Sequence, residues 1–389
     1  MQVKKIIAIH LLNDLSGSPF VLRQSLEALV EEGYKVELFT ATPSGKGFLT
    51  QIENVSHHNI FYKWNKNKWI TLMLFLYSQS SLFARLLFYL NRNDVVYINS
   101  LLPFGAAIAA KLRGCKVVYH IHEISVKPAL LKKFLLFVAN MSATQGIFVS
   151  SYLRSAINFS KTSVVIHNAL PSTFIKHATN SNPAYKKNFN VLMLCSLKKY
   201  KGVFEFIGCA KRLPLLSFRL VLNASQEDIT AFFLNENLPS NLELLPAQQN
   251  VHPYYKEADV VMNLSKTNEW IETFGMTILE AMYYRKPVIV PPVGGVTELV
   301  GDGVQGYLVD SNNIETVCEK LLLLSANNLL YKNISDCAFQ KAQQFTPSKF
   351  NTQILKQFKL LSNNQQTQTL NIQTGNSIQI IENTINEIF

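Results

Sequence analysis

Residues 259–265 read Asp259-Val-Val-Met-Asn-Leu-Ser265, and residues 268–282 continue Asn268-Glu-Trp-Ile-Glu272-Thr-Phe-Gly275-Met-Thr-Ile-Leu-Glu280-Ala-Met282. The short apolar run predicts a buried strand. Gly275 then marks a turn, and Met276, Leu279 and Met282 repeat at the spacing of a buried helical stripe. This order places Glu272 in a loop beside the helix N-terminus and Glu280 about one and a half turns inside the helix. A helix N-terminus carries free N–H groups and partial positive charge, which suits a phosphate. An anion seat flanked by two hydroxyl acceptors supplies the parts needed to hold a nucleoside diphosphate joined to a sugar. Taken singly, either glutamate reads better as a dipole partner or a solvated helix residue.

The sequel decides between these readings. Arg285-Lys-Pro-Val-Ile-Val-Pro-Pro-Val-Gly294-Gly295-Val-Thr-Glu298-Leu-Val300 predicts a short buried strand, a Gly-Gly turn and a new helix. The helix after Gly275 then lies between two strands. Its N-terminus sits at their carboxyl edge, where open α/β sheets bind ligands. Glu272 and Glu280 at this spacing, followed by a strand and then Gly294-Gly295-x-x-Glu298, resemble the retaining GT-B glycosyltransferases of the large family four group. The combination is specific, and weaker landmarks carry the resemblance to about Leu361.

Several of those landmarks lie upstream. Asn190-Val-Leu-Met-Leu-Cys195-Ser196-Leu-Lys198-Lys-Tyr-Lys201-Gly202 is a strand, a loop and a Lys-Gly step into a helix. In the resembled family an Arg stands in the loop and, with the Lys, neutralises the donor diphosphate. Lys201 fits; Ser196 holds the Arg position, which leaves Lys198 or Lys199 to supply the missing charge. The strand ending in His120-Ile-His122-Glu123 matches a family position near the transferred sugar or the acceptor. His122 is assigned to the site and His120 to the core. The first strand leads into Asn13-Asp-Leu-Ser-Gly17-Ser-Pro19, with Ser18 as the expected cap and Pro19 as the first helical residue. Gly17 reads equally as a ligand-approach glycine and as an ordinary strand–helix turn. No Gly-x-Gly-x-x-Gly fingerprint is present.

The expected fold is α/β: GT-B, two Rossmann-like domains whose parallel sheets face across a cleft. The boundaries are 1–170 for the acceptor-binding unit, 171–189 for an irregular linker and 190–345 for the nucleotide-sugar unit. A helix over 346–361 crosses back to the first unit, and 362–389 forms a polar tail. By the resemblance, Glu280 accepts ribose hydroxyls and Glu272 accepts hydroxyls of the donor sugar. The N–H groups of Phe274, Gly275 and Met276 seat the diphosphate or the sugar, and Lys201 stabilises the departing diphosphate. The implied partners are a nucleotide-sugar donor and a glycan or lipid-linked acceptor. No cofactor is expected, since the nucleotide-sugar is a substrate. No Asp-x-Asp occurs, so no metal site is expected either.

Composition agrees with a packed protein long enough for two cores: 389 residues, 48% hydrophobic. A formal charge of +11 points to an anionic partner or surface. Nucleic acid ranks low, because no aromatic-plus-basic RNA motif or zinc spacing appears. Five scattered cysteines fit reduced thiols in a cytoplasmic protein, and the N-terminus runs into a strand without the pattern of a signal peptide. Trp69–Leu90 is the most apolar stretch. It reads as a buried helix, or two short ones, covering the sheet. Its rival is an interfacial helix whose flanking Lys63, Lys66, Lys68 and Arg92 meet anionic headgroups. Two further readings of the whole chain stay open: a nucleotide-sugar epimerase of the same fold, and a non-catalytic nucleotide-sugar or glycan-binding subunit.

Overall fold

A computed structural model describes residues 5–42, 45, 47–180 and 189–361. The expected tail and residues 181–188 of the expected linker lie outside the described residues. The strands are β1 (Lys5–Leu12), β2 (Lys35–Ala41), β3 (Val55–Asn59), β4 (Val95–Asn99), β5 (Lys116–Ile121), β6 (Gln145–Phe148) and β7 (Ser163–Val165). They form one parallel sheet in the order β3-β2-β1-β4-β5-β6-β7. The second parallel sheet contains β8 (Asn190–Cys195), β9 (Ser217–Leu222), β10 (Leu242–Leu245), β11 (Val260–Met262), β12 (Val288–Val290) and β13 (Gly306–Leu308). Its order is β10-β9-β8-β11-β12-β13. In each sheet the order reverses once, between β1 and β4 and between β8 and β11. At such a switch point adjacent crossovers diverge and leave a crevice at the carboxyl edge.

The helices are α1 (Gly17–Glu31), α2 (Lys68–Tyr89), α3 (Phe104–Leu112), α4 (Ala129–Ser142), α5 (Ser151–Ala156) and α6 (Ser172–Thr179) in the first part of the chain. The rest are α7 (Val203–Arg212), α8 (Gln226–Phe232), α9 (His252–Glu257), α10 (Met276–Tyr283), α11 (Ile314–Ala326), α12 (Asn328–Ala342) and α13 (347–361). Strands such as β1 and β4 are almost wholly buried, as their unbroken apolar runs demand when helices cover both faces. On one face of the first sheet lie α2, α3 and α4, side by side. The thin α3 presents glycine and alanines, and a Cβ on Gly105 would stand 2.2 Å from the Gln79 carbonyl oxygen of α2. The opposite face holds α1 and α13, with Phe350, Ile354, Phe358 and Leu361 of α13 packed among Ile6, Val21 and Tyr97. The last helix therefore crosses back onto the first unit.

Four local expectations are corrected. First, α1 begins at Gly17 after Ser16, not at Ser18-Pro19. The Ser16 N–H and hydroxyl both donate to the Asp14 carboxylate, at 2.9 and 2.5 Å, and stiffen the turn two residues earlier. Second, 172–179 of the linker, expected to be irregular, is helical. Third, a single 3-10 turn over Gly295–Glu298 replaces the expected helix after the Gly-Gly pair. Fourth, α2 is one continuous helix capped by the Asn67 side chain, and it is not a buried one. Only 28% of its most apolar stretch is covered, although its length and composition would suffice to cross a membrane. The strand β3 was not foreseen, because Val-Ser-His-His-Asn at a sheet edge carries no apolar alternation.

Candidate active site

The loops after β8 and β11 flank the switch point of the second sheet and bring Lys201 and Glu272 together. The Lys201 ammonium donates to Glu272 Oε2 at 2.9 Å, and Asn263 Nδ2 adds a second bond to the same oxygen at 3.3 Å. Lys201 also lies over the Trp270 ring at 5.1 Å, and that ring stacks on Tyr200 at 5.2 Å. The lysine is thus held by a carboxylate, an aromatic face and a short turn. Gly202 makes the turn, with φ of +79°. A Cβ there would sit 2.1 Å from the Leu264 carbonyl oxygen, so only glycine lets the Lys-Gly step approach the end of β11. Burial pushes the Glu272 carboxyl up, but Lys201 and then Asn263 more than offset this and hold it below its usual range. Glu272 is therefore an anion, ready to accept hydroxyls.

Three glycines shape the seat beside it. Gly275 has φ of +98° and precedes α10, and its Cβ would lie 2.7 Å from Val296. Gly295 donates its N–H to the Glu272 carbonyl at 2.8 Å. Cβ atoms on Gly294 and Gly295 would stand 2.4 and 1.9 Å from the Glu272 and Thr273 carbonyl oxygens. The Gly-Gly turn is a clamp on the Glu272 loop. Among the described residues, the N–H groups of Phe274, Gly275 and Met276 have no protein acceptor, while the Phe274 side chain is buried against Phe345. The structure thus leaves three donors at the head of α10, adjacent to Lys201 and Glu272.

Glu280 lies deeper on α10 and accepts the Tyr255 hydroxyl at 2.5 Å. Burial pushes its carboxyl up to about 7, and the tyrosine offsets only part of that. Ser196 stays at the β8 edge, half-buried. Lys198 is exposed and makes no ion pair among the described residues, while Lys199 lies 5.7 Å over the Phe204 ring. Among the described residues neither lysine pairs with Glu272. Glu298, the last residue of the second motif, serves elsewhere. It accepts from Ser151 N, Tyr152 N and His167 Nε2, at 3.1, 2.8 and 2.7 Å, and ties the second unit to the first.

At the facing edge of the first sheet, neutral side chains meet the carboxyls of Asp14 and Glu123, the latter accepting from His122 N at 3.3 Å. His122 follows β5, and its Nε2–H donates to Asn99 Oδ1 at 2.8 Å. The Asn99 amide donates in turn to His10 Nδ1 and to the Ser18 carbonyl, at 3.0 and 3.2 Å. Burial, with His120 and His10 nearby, drives the His122 pKa well below its ordinary value. His120 is a core residue, as expected: it bonds the Tyr97 hydroxyl at 2.7 Å, and burial pushes it down to about 3. Gly17 opens α1 beside this group, and a Cβ on it would meet nothing within 4 Å. The two edges touch where Ile271 N donates to the Ser125 hydroxyl at 3.2 Å. Among the described residues no cluster of three or more His, Cys, Asp or Glu side chains is placed to hold a metal ion.

Sequence reasoning missed Trp270, Asn263, Tyr255 and Asn99. Trp270 stood two residues ahead of Glu272 and was the one available signal. The others act through long-range contacts that no local pattern reveals.

Two family models together cover most of the chain. "Glycosyltransferase Family 4" matches residues 16–172, and "Glycosyl transferases group 1" matches residues 175–341. The chain belongs to the family four, group 1 glycosyltransferases. An uncharacterized glycosyltransferase of Methanocaldococcus jannaschii is 25% identical over 280 residues, covering 69% of this chain and 76% of the relative. An uncharacterized 41.2 kDa protein in the cps region of Klebsiella pneumoniae is 28% identical over 257 residues, 59% of this chain and 68% of the relative. Among solved structures, HepE of Anabaena in complex with UDP-glucose superposes with TM-score 0.71 at 20% identity, over 91% of this glycosyltransferase and 99% of that chain. The sucrose-phosphate synthase of Thermosynechococcus elongatus gives TM-score 0.74 at 17% identity, over 92% and 99%. These likenesses establish the fold of this glycosyltransferase as GT-B.

Proposed function

We propose that this glycosyltransferase moves a sugar from a UDP- or GDP-sugar to a hydroxyl of a glycan or lipid-linked acceptor. In this reading it retains anomeric configuration, needs no metal ion and works in the cytoplasm on cell-surface polysaccharide or lipopolysaccharide. The observation that carries the reading is the Lys201–Glu272 pair, 2.9 Å apart, beside the three unpaired N–H groups that head α10. Those N–H groups seat the diphosphate, and Lys201 neutralises the charge that builds on it as the glycosidic bond breaks. Lysine and helix terminus together supply the positive charge that a metal would otherwise bring. Glu272 accepts hydroxyls of the donor sugar, and Glu280 accepts those of the ribose. The acceptor hydroxyl enters from the His122 side and attacks the face from which the diphosphate departs, within a tight ion pair. HepE of Anabaena, solved with UDP-glucose, supports the donor class, and the cps-region relative supports the polysaccharide setting.

Thermal stabilisation by a panel of UDP-, GDP- and ADP-sugars, with and without EDTA, tests this. A shift confined to one base and surviving EDTA is expected. No shift with any donor would favour a non-catalytic binding subunit. Release of free sugar or an isomerised nucleotide-sugar without acceptor would favour an epimerase.

A further inference from the structure

On one face of the first sheet α2 and α4 bury only a narrow stripe each: Phe75, Leu82 and Leu86 from the one, Leu135, Val138 and Ala139 from the other. Their outer surfaces are apolar where a water-facing helix carries charge. Trp69, Met73 and Tyr77 of α2 are 77%, 71% and 62% exposed, and Leu130 and Phe137 of α4 are 79% and 66% exposed. The two helices are joined across α3 by aromatic contacts, Phe75–Phe104 at 5.7 Å and Phe104–Phe134 at 5.0 Å, so the exposed side chains stand on one face of the first unit. A patch of this extent marks an interaction surface.

Charge chooses the occupant. The sequences of α2, α3 and α4 contain no Asp or Glu. Lys63, Lys66 and Lys68 surround the start of α2, and Lys127 and Lys133 stand at α4, all exposed. A second copy of this chain would set like charges against each other, which disfavours self-association through the patch. Aromatic and aliphatic side chains rimmed by lysines complement an anionic bilayer surface, where indole and phenol rings sit at headgroup level. In this sheet each strand runs into its following helix at the carboxyl edge. The starts of α2 and α4, with Trp69, Leu130 and most of these lysines, therefore lie on the side of the cleft. The loop from His122 to Pro128 joins the candidate acceptor edge directly to α4.

We infer that the α2–α4 face docks this glycosyltransferase on an anionic membrane, with the helix starts nearest the cleft mouth, so that an acceptor carried on a lipid reaches His122 without leaving the bilayer surface. The delivery of acceptor rests on the function proposed above; the docking itself does not.

The test is co-sedimentation of the full chain with vesicles of phosphatidylcholine alone and with phosphatidylglycerol added, at low and raised salt. Binding to the anionic vesicles that weakens with salt is expected. Trp69→Glu with Leu130→Glu should weaken it ~10-fold or more. Leu215→Glu with Leu329→Glu, at two exposed positions of the second unit (90% and 72%), should leave it unchanged. Unchanged far-ultraviolet dichroism and unchanged nucleotide-sugar stabilisation, both without vesicles, would show that the first variant still folds and binds donor. Failure to sediment, or equal sedimentation of both variants with wild type, would overturn the docking. A wild-type dimer on sizing that the Trp69→Glu/Leu130→Glu variant dissolves would assign the face to a second copy instead.

Discussion

The two edges that face each other across the cleft are built on the same topology and carry different chemistry. At the switch point of the second sheet stand an ammonium, a carboxylate and unpaired N–H groups. At that of the first stand His10, Asn99 and His122, all neutral, with Asn99 hydrogen-bonded to both histidines. A bound dianion needs fixed positive charge and donors, and its departure needs them more. A hydroxyl acceptor needs only to be oriented and kept from water. The difference is what the proposed division of labour, donor on the second sheet and acceptor on the first, rests on.

The sharpest way to break this contrast is to remove the charged pair. Lys201→Ala and Glu272→Gln are each expected to lower kcat by ~10²–10³ while donor-free folding survives, the scale found when one preorganised electrostatic contact is deleted. Because the two side chains act on one ligand, the double variant should lose little more than the worse single one. Single-turnover assays with the donor found in the stabilisation panel read this directly. Unchanged turnover in both single variants would remove the second sheet from catalysis.

A smaller effect tests the frame that holds the pair. The Cβ introduced by Gly295→Ala would meet the Thr273 carbonyl oxygen at 1.9 Å, and that contact is backbone, so the loop must move. We expect a donor KM raised more than kcat is lowered, with stability reduced by ~1–3 kcal/mol as for other overpacked sites. A chemical-denaturation curve alongside the kinetics separates the two losses.

How far each edge could be read beforehand follows from the same contrast. The second unit's site is local in sequence: Glu272, Gly275, Glu280 and Gly294-Gly295 fall within 24 residues, and turn glycines and helical spacing are patterns a short window reveals. The parallel α/β architecture was equally legible, through apolar runs alternating with helical stripes. The first unit's edge is not local. Asn99 meets His10 across 89 positions and His122 across 23, and nothing in a buried strand end announces which polar residue it will touch. Ser196 was read through the arginine it replaces, and of the two lysines offered as substitutes Lys199 lies over Phe204 while Lys198 is exposed. For α2, apolarity in the sequence suggested burial, whereas exposure depends on what the rest of the chain leaves uncovered.

Protonation offers a further separation of the two edges. Burial raises the Glu280 carboxyl to about 7 from a reference of 4.5. Between those values the folded protein keeps a proton that the unfolded chain has lost, so this group's contribution to stability falls as pH rises through the window. A ribose hydroxyl donating to Glu280 favours the carboxylate, and binding then expels the proton. Donor affinity should therefore strengthen by up to ~10-fold per pH unit below about 7 and level off above it. Calorimetric titration of the nucleoside diphosphate into wild type and Glu280→Gln checks this; the variant should show a flat profile. His122, held neutral by burial and by two neighbouring histidines, should add no limb of its own near its ordinary value.

The smallest expected effect is the most discriminating for the first unit. Gly17 is not held in a left-handed conformation, and a Cβ there would meet open space. It sits in the first turn of α1, where alanine is a better helix former than glycine. Gly17→Ala should thus leave stability within ~0.5 kcal/mol of wild type or raise it slightly. Packing gives no reason for glycine at this position, so any loss of function must come from a ligand approaching the backbone. If acceptor KM rises at unchanged stability and unchanged donor binding, the space over Gly17 belongs to the acceptor. A loss of donor affinity instead would mean that the diphosphate reaches across the cleft to α1, and the division of labour between the two sheets would be incomplete. No change in either would make this an ordinary strand–helix turn and leave His122 and Asn99 as the acceptor edge.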